Sequence, residues 1–254
     1  MKGRSLGTDD ERMREVVFEI NRYDPETEEG SYSSQFPLKL SEEELRDLTV
    51  LDCLLRIKEE KDGSLTFRHS CGHGTCGSCA VLIDGVNRLA CETQVLGLIE
   101  GESEDLIEVA PLPGFPRIKD LVIDLEDLYR KDEEVKPYLI QKKPPPADRE
   151  RLQSSGELED IREATDCIMC GACTASCPTY WDKKSYLGPA AFVRAYRWIN
   201  DSRDEGGEEH MEGLDDESSG VWGCNKVFNC LDACPKDVDT VGIIEALKRS
   251  ALGF

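Results

Sequence analysis

Two stretches of this 254-residue chain, "CIMCGACTASCP" (Cys167 to Pro178) and "CNKVFNCLDACP" (Cys224 to Pro235), share one frame, with anchors three, three and four residues apart and proline after the last. Thiolates at that spacing are iron–sulfur ligands. Three cysteines of such a run hold one cluster, and the fourth reaches across to the other. The crossover groups Cys167, Cys170 and Cys173 with Cys234 as a complete 4Fe-4S site. It groups Cys177 with Cys224 and Cys230, where Val227 stands in the place of a fourth thiol. An isopropyl group cannot ligate iron, so the expected occupant of this site is a 3Fe-4S cluster.

A further group lies upstream in "SCGHGTCGSCAV" followed by "RLAC": Cys71, Cys76, Cys79 and Cys91. The C-x4-C-x2-C spacing is that of plant-type 2Fe-2S ligation. Gly72, Gly74 and Gly77 let the backbone close in on the sulfurs. Structural zinc also accepts four thiolates, but it usually takes them from paired Cys-x2-Cys knuckles rather than one looped run. The remaining cysteine, Cys53 in "TVLDCLLRI", is expected to be a core thiol. His69 and His73 flank Cys71 and are expected to be exposed, and Tyr196 and Trp198 to serve packing.

The first half of the chain reads as strands and turns. "VVFEINRYDP" and "SYSSQFPLKL" alternate apolar and polar residues across an acidic, Gly-containing turn, and "TVLDCLLRIKEEKDG" reads as an amphipathic helix closed by Gly63. Asp84-Gly85 predicts a two-residue hairpin turn that brings Cys79 and Cys91 to the hairpin's open end, and "DLIEVAP" adds a last strand. After Pro116 the pattern becomes helical, with Leu121, Leu125 and Leu128 on one face, and "KKPPPADRE" is an extended connector. "GPAAFVRAYRWIND" and "TVGIIEALKRSAL" are amphipathic helices, while the acidic stretch from Asp201 to Ser219 reads as a solvated loop.

The formal charge of −21 opposes phosphate backbones and excludes nucleic acid as a partner. The mixed, polar opening residues predict no secretory leader, and the chain is expected in the cytoplasm, where clustered cysteines are ligands rather than disulfides. No charge-free run is long enough for a spanning helix. There is no Gly-x-Gly-x-x-Gly dinucleotide fingerprint, since the run from Gly72 to Gly77 that has this spacing belongs to the first cysteine group, and there is no nucleophile paired with a base. Three kinds of cluster without a substrate pocket make an electron wire, with the bond-making chemistry on another subunit.

"TVLDCLLRIKEE", "LTFRHSCGHGTCGSCAVLIDGVNRLACETQV", "DCIMCGACTASCPTYW", "GPAAFVRAYRWINDSRDEG" and "CNKVFNCLDACPKDV" together resemble the iron-sulfur subunit of succinate dehydrogenase and quinol:fumarate reductase. The resemblance implies an α+β chain: a β-grasp plant-type ferredoxin domain over residues 1–120, and a helical bacterial-ferredoxin-like domain with the 4Fe-4S and 3Fe-4S clusters over 121–254. It implies an FAD-containing flavoprotein partner, one or more membrane anchor subunits, and a peripheral place at the cytoplasmic face of the membrane. Electrons would run from flavin through the 2Fe-2S, 4Fe-4S and 3Fe-4S clusters to a quinone. Pro178, Trp181 and Asn225 are the candidates for quinone contact. The chain departs from the family at Gly72, where Arg is usual, at Asp182 after Trp181, and at Asn225, where many members have His. An ordinary ubiquinone site therefore does not carry over. Alternatives are fumarate reduction in the reverse direction, a soluble polyferredoxin-like carrier, and a zinc-stabilised scaffold.

Overall fold

The computed structural model describes residues 13–27, 30–100 and 105–253. In chain order the elements are β1 (Arg14–Tyr23), β2 (Ser31–Leu40), α1 (Glu42–Asp47), α2 (Val50–Glu60), β3 (Ala80–Ile83), β4 (Val86–Leu89), α3 (Val95–Ile99), β5 (Leu106–Ala110), β6 (Arg117–Lys119) and β7 (Val122–Ile123). Helical structure follows as α4 (Glu126–Glu134), α5 (Ser155–Thr165), α6 (Ala172–Ala175), α7 (Pro178–Asp182), α8 (Pro189–Ile199), α9 (Gly207–Met211), a 3-10 turn (Val221–Gly223), α10 (Asn229–Asp232) and α11 (Thr240–Ala251).

The N-terminal sheet has the order β2-β1-β5-β3-β4, with β1 and β5 parallel and the other neighbours antiparallel. Alternation in β1 sends Val16, Phe18 and Ile20 fully inside. They meet α2, whose Val50, Leu51, Cys53, Leu54 and Ile57 form its buried face. Thr49 starts α2 through a reciprocal cap with Asp52, an arrangement of about 1 kcal/mol. The helix closes at Lys61 rather than Gly63: the N–H groups of Lys61 and Asp62 both reach the Ile57 carbonyl, and Gly63 lies beyond. The expected hairpin forms, with Asp84 and Gly85 both at positive φ. Cys53 is buried, and burial pushes its thiol up to about 12, which leaves it inert.

The segment after Pro116 is not helical at once. Leu121 sits in the turn between β6 and β7 and joins the N-terminal core, while the helix begins only at Glu126. Asp120 decides this. Its carboxylate accepts from Arg22 Nε (2.9 Å), Thr66 N (2.8 Å) and Tyr23 N (3.2 Å), which holds the turn against β1. Arg22 also reaches Asp62 (2.6 Å) and Ser64 (3.0 Å), so one buried guanidinium anchors the segment leading to the first cysteine loop. A helical register would leave these charges unpaired inside.

A second core gathers Tyr180, Tyr186, Phe192, Val193, Val221, Ile243, Ile244 and Leu247 around α8 and α11. The stretch from Asp201 to Ser219 is not a solvated loop. Asp201, His210 and Leu214 are buried, and α9 lies within it. Its acids tie down the connector: Asp204 accepts from Ile140 N (2.7 Å), and Glu205 from Lys142 N (2.6 Å) and Lys143 N (2.8 Å). The His210 ring lies 3.2 Å from Asp204. Charge density alone misread this stretch because its carboxylates find donors within the fold.

Asp201 gives a measurable consequence. Burial alone would raise its pKa, but hydrogen bonds from the Arg203 side chain and backbone and from Arg197 hold it down to about 2. Because this lies below the unfolded value near 3.9, the stabilisation is fully present above about pH 5 and is lost as pH falls through about 2. Asp201→Asn should cost about 2 kcal/mol near neutrality. The Tm gap between variant and parent should close as pH drops below 4; a constant gap would show that the charge is not what stabilises. Among the described residues no helix is long and apolar enough to cross a membrane.

Candidate metal centres

The first cysteine loop runs from the end of the Arg22-anchored segment into β3. Gly72, Gly74 and Gly77 all have positive φ, and the curled backbone turns its N–H groups inward. His73 N, Thr75 N and Cys76 N point to Cys71 Sγ at 3.3, 3.4 and 3.4 Å. Gly74 N points to Cys91 Sγ at 3.2 Å, and Cys71 N to Cys76 Sγ at 3.5 Å. Such a nest stabilises negative sulfur. The Cys76 thiol is accordingly pulled down to about 6, chiefly by the backbone N–H of Cys71, while burial pushes Cys79 up to about 12. Cys79 and Cys91 meet at the open end of the β3–β4 hairpin, where Ala90 N donates to the Cys79 carbonyl at 3.1 Å. His69 and His73 are exposed. Cys91→Ala should remove the 2Fe-2S signal and leave the other clusters intact, since the loop is local to this hairpin. Iron analysis with EPR checks it, and loss of every signal would instead mean collapse of the fold.

The two later runs fold alike. Met169 and Gly171 adopt positive φ in the first; Lys226 and Phe228 do so at the matching places of the second. A four-residue helix follows each, α6 after Gly171 and α10 after Phe228. Phe228 therefore accepts a left-handed conformation that costs a non-glycine residue about 1–2 kcal/mol. The backbone frame around Val227 matches that of the first run, although no thiol stands there.

Thiols sort by mutual electrostatic influence. Cys167, Cys170 and Cys173 each feel Cys234, and Cys173 also feels Cys230 of the other run. Cys177, Cys224 and Cys230 form the other group. Burial is the leading cause that pushes Cys170 to about 11 and Cys230 to about 12, with neighbouring thiols adding to it. Several thiolates crowded away from water repel one another, and bound cations relieve that repulsion. The looped C-x4-C-x2-C run and the two matched cysteine runs fit clusters better than the paired knuckles of structural zinc.

The two halves meet at the sites. A Cβ on Gly77 would lie 2.8 Å from Cys170 Cα and 3.0 Å from the Ile168 carbonyl. Asn87 of β4 donates to the Ala172 carbonyl (3.1 Å) and to Ser176 Oγ (2.7 Å). Lys236, just past Cys234-Pro235, pairs at 3.1 Å with Glu92, just past Cys91. These contacts were not visible in the motifs, because each joins residues far apart in the chain.

Pro178 and Asn225 line one apolar cavity with Cys177, Val227 and Tyr186, and Asn225 Nδ2 donates to Thr179 Oγ1 at 3.1 Å. Trp181 is not in that cavity. Its indole lies over Gly114 and donates to the Ala175 carbonyl at 2.8 Å, in a separate cleft with Pro113, Ser176 and Asn229. Sequence reasoning missed Tyr186. Its place in "SYLGP" carries no ligand spacing, and only the fold sets it beside the three-cysteine group.

A small mixed sheet holding a glycine-rich thiolate loop, joined to a helical unit with two matched cysteine runs, defines an iron–sulfur electron carrier of ferredoxin type. Residues 17–130 match the 2Fe-2S iron-sulfur cluster binding domain family, and residues 159–235 match the 4Fe-4S dicluster domain family. The chain is 40% identical over 233 residues to the succinate dehydrogenase iron-sulfur subunit of Paracoccus denitrificans, covering 91% of this chain and 86% of that protein. It is 39% identical over 240 residues to the mitochondrial succinate dehydrogenase [ubiquinone] iron-sulfur subunit 1 of Oryza sativa subsp. japonica, covering 93% and 82%. Its fold is similar to a chain of the Mycobacterium smegmatis Sdh1 complex in the apo form, with TM-score 0.78, 23% identity, and coverage of 95% of this chain and 97% of that one. The chain belongs to the family of succinate dehydrogenase iron-sulfur subunits.

Proposed function

We propose that this chain is the electron-transfer subunit of a succinate dehydrogenase, carrying electrons from an FAD-bearing flavoprotein partner to a quinone beside a membrane anchor, peripheral at the cytoplasmic face. Residues 1–120 form the 2Fe-2S unit and 121–254 the unit for the other two clusters. Cys71, Cys76, Cys79 and Cys91 hold the 2Fe-2S cluster; Cys167, Cys170, Cys173 and Cys234 the 4Fe-4S cluster; Cys177, Cys224 and Cys230 the 3Fe-4S cluster. When bound, these groups supply one-electron steps between a two-electron donor and a two-electron acceptor. The chain's own residues tune and shield them. Backbone N–H groups of the glycine loop donate to Cys71 and Cys91, and Val238 N donates to Cys234 Sγ at 3.4 Å. Burial of Cys79, Cys91 and Cys230 keeps water away. Pro178 and Asn225 wall the quinone side of the three-thiolate site, with Trp181 at a neighbouring cleft.

The observation that carries this reading is the retained loop around Val227, with its left-handed Lys226 and Phe228 and three cysteines in place. Low-temperature EPR of the anaerobically purified complex tests it. Oxidised 3Fe-4S is paramagnetic, whereas oxidised 2Fe-2S and ordinary 4Fe-4S are silent. A near-isotropic signal of about one spin per chain when oxidised, then a 2Fe-2S signal on reduction, is expected. A silent oxidised sample would sink the reading of the last site.

A further inference from the structure

Tyr186 is fully buried, and among the described residues its hydroxyl has no hydrogen-bond partner of ordinary geometry. A buried hydroxyl without a partner is costly, and such groups are rare in folded proteins unless something outside the chain completes them. The ring is held firmly. It meets Phe192 edge-on at 5.6 Å, and Gly223 leaves room for it, since a Cβ there would lie 2.8 Å from the Tyr186 ring. Tyr186 lines the same cavity as Cys177, Cys224 and Cys230. Asn225 of the same cavity is already engaged with Thr179, and Lys226 with Glu245 at 3.1 Å.

From this placement we infer that the Tyr186 hydroxyl donates a hydrogen bond to sulfur of the three-iron cluster, at Cys224 or at a bridging sulfide, and so raises the reduction potential of that centre. The inference rests on the reading of this site as 3Fe-4S. Reduction adds one electron and no bond changes; the donor stabilises the more negative, reduced form more than the oxidised one. Hydrogen bonds to sulfur are among the levers that set cluster potentials. Tyr186 is thereby a positioning and tuning residue, not a ligand.

The test is a potentiometric EPR titration of the whole complex carrying Tyr186→Phe, which keeps the ring and removes only the donor. The expected result is a tenfold shift of the one-electron equilibrium toward the oxidised cluster, a potential lower by about 59 mV, with the 2Fe-2S and 4Fe-4S potentials unmoved. A normal 3Fe-4S signal with unchanged potential overturns the inference alone. Absence of that signal from the unsubstituted complex overturns the reading of the site and the inference with it. Should the variant fail to assemble, proton ENDOR on the oxidised unsubstituted complex decides. A readily exchanged proton coupled to the cluster, beyond the slowly exchanging backbone amides, supports the bond, and its absence overturns it.

Discussion

Val227→Cys should add one iron per chain and abolish the oxidised EPR signal of the last cluster. The loop around residue 227 already has the backbone of its sister run, with Lys226 and Phe228 in the same left-handed positions as Met169 and Gly171. A thiol there needs no rearrangement to stand where Cys170 stands in the first run. Val227 is half exposed on the cavity wall, so the new side chain meets no tight neighbour. The cluster should convert toward 4Fe-4S, whose oxidised form is silent. Electron delivery beyond it should change, because cluster type itself sets the reduction potential and a four-iron cluster would replace the three-iron one. Iron content and EPR after anaerobic reconstitution check both points; unchanged iron would show that the valine position does not face the missing corner.

Gly77→Ala should be a damaging single-methyl change in the first loop, because what its Cβ meets is backbone of the second cysteine run. At φ +72 any side chain carries backbone strain of about 1–2 kcal/mol. The new Cβ would also lie 2.8 and 2.9 Å from Cys170 Cα and Cβ, contacts that force the loops apart at about 1–3 kcal/mol. Gly72→Ala is the matched control: φ is +70 but nothing lies within 4 Å, so only the backbone cost applies. The difference between the two variants, expected as a Tm gap of about 5 °C, isolates the contact between the first cysteine loop and the second run. Magnetic interaction between the reduced 2Fe-2S and 4Fe-4S centres should weaken in Gly77→Ala and persist in Gly72→Ala. Equal behaviour of the two would mean that the loops do not meet at Gly77.

Much of the fold was legible in local patterns. The β1–β2 and β3–β4 hairpins, α2, α8 and α11 follow from alternation, turn residues and helical period, because burying one face of each element is decided by its own side chains. The failures share a cause. Leu121 reads as the start of a helical face, yet a carboxylate next to it pairs with Arg22, ninety-eight residues away. The acidic stretch after Asp201 reads as solvated, yet its carboxylates cap connector backbone and pair with arginines. Charge alone says nothing of where the partner is.

For the sites, the sequence by itself determined the cysteines, their spacing, and the absence of a thiol at Val227. Ligation depends on residue type within a short loop, so spacing is nearly sufficient there. Only the tertiary structure decided that Gly77 touches Cys170, that Glu92 and Lys236 pair across the two halves, and that an unpartnered tyrosine faces the three-cysteine group. Those relations arise when separate cores close on one another, and no periodicity within either segment encodes which residues will then be neighbours.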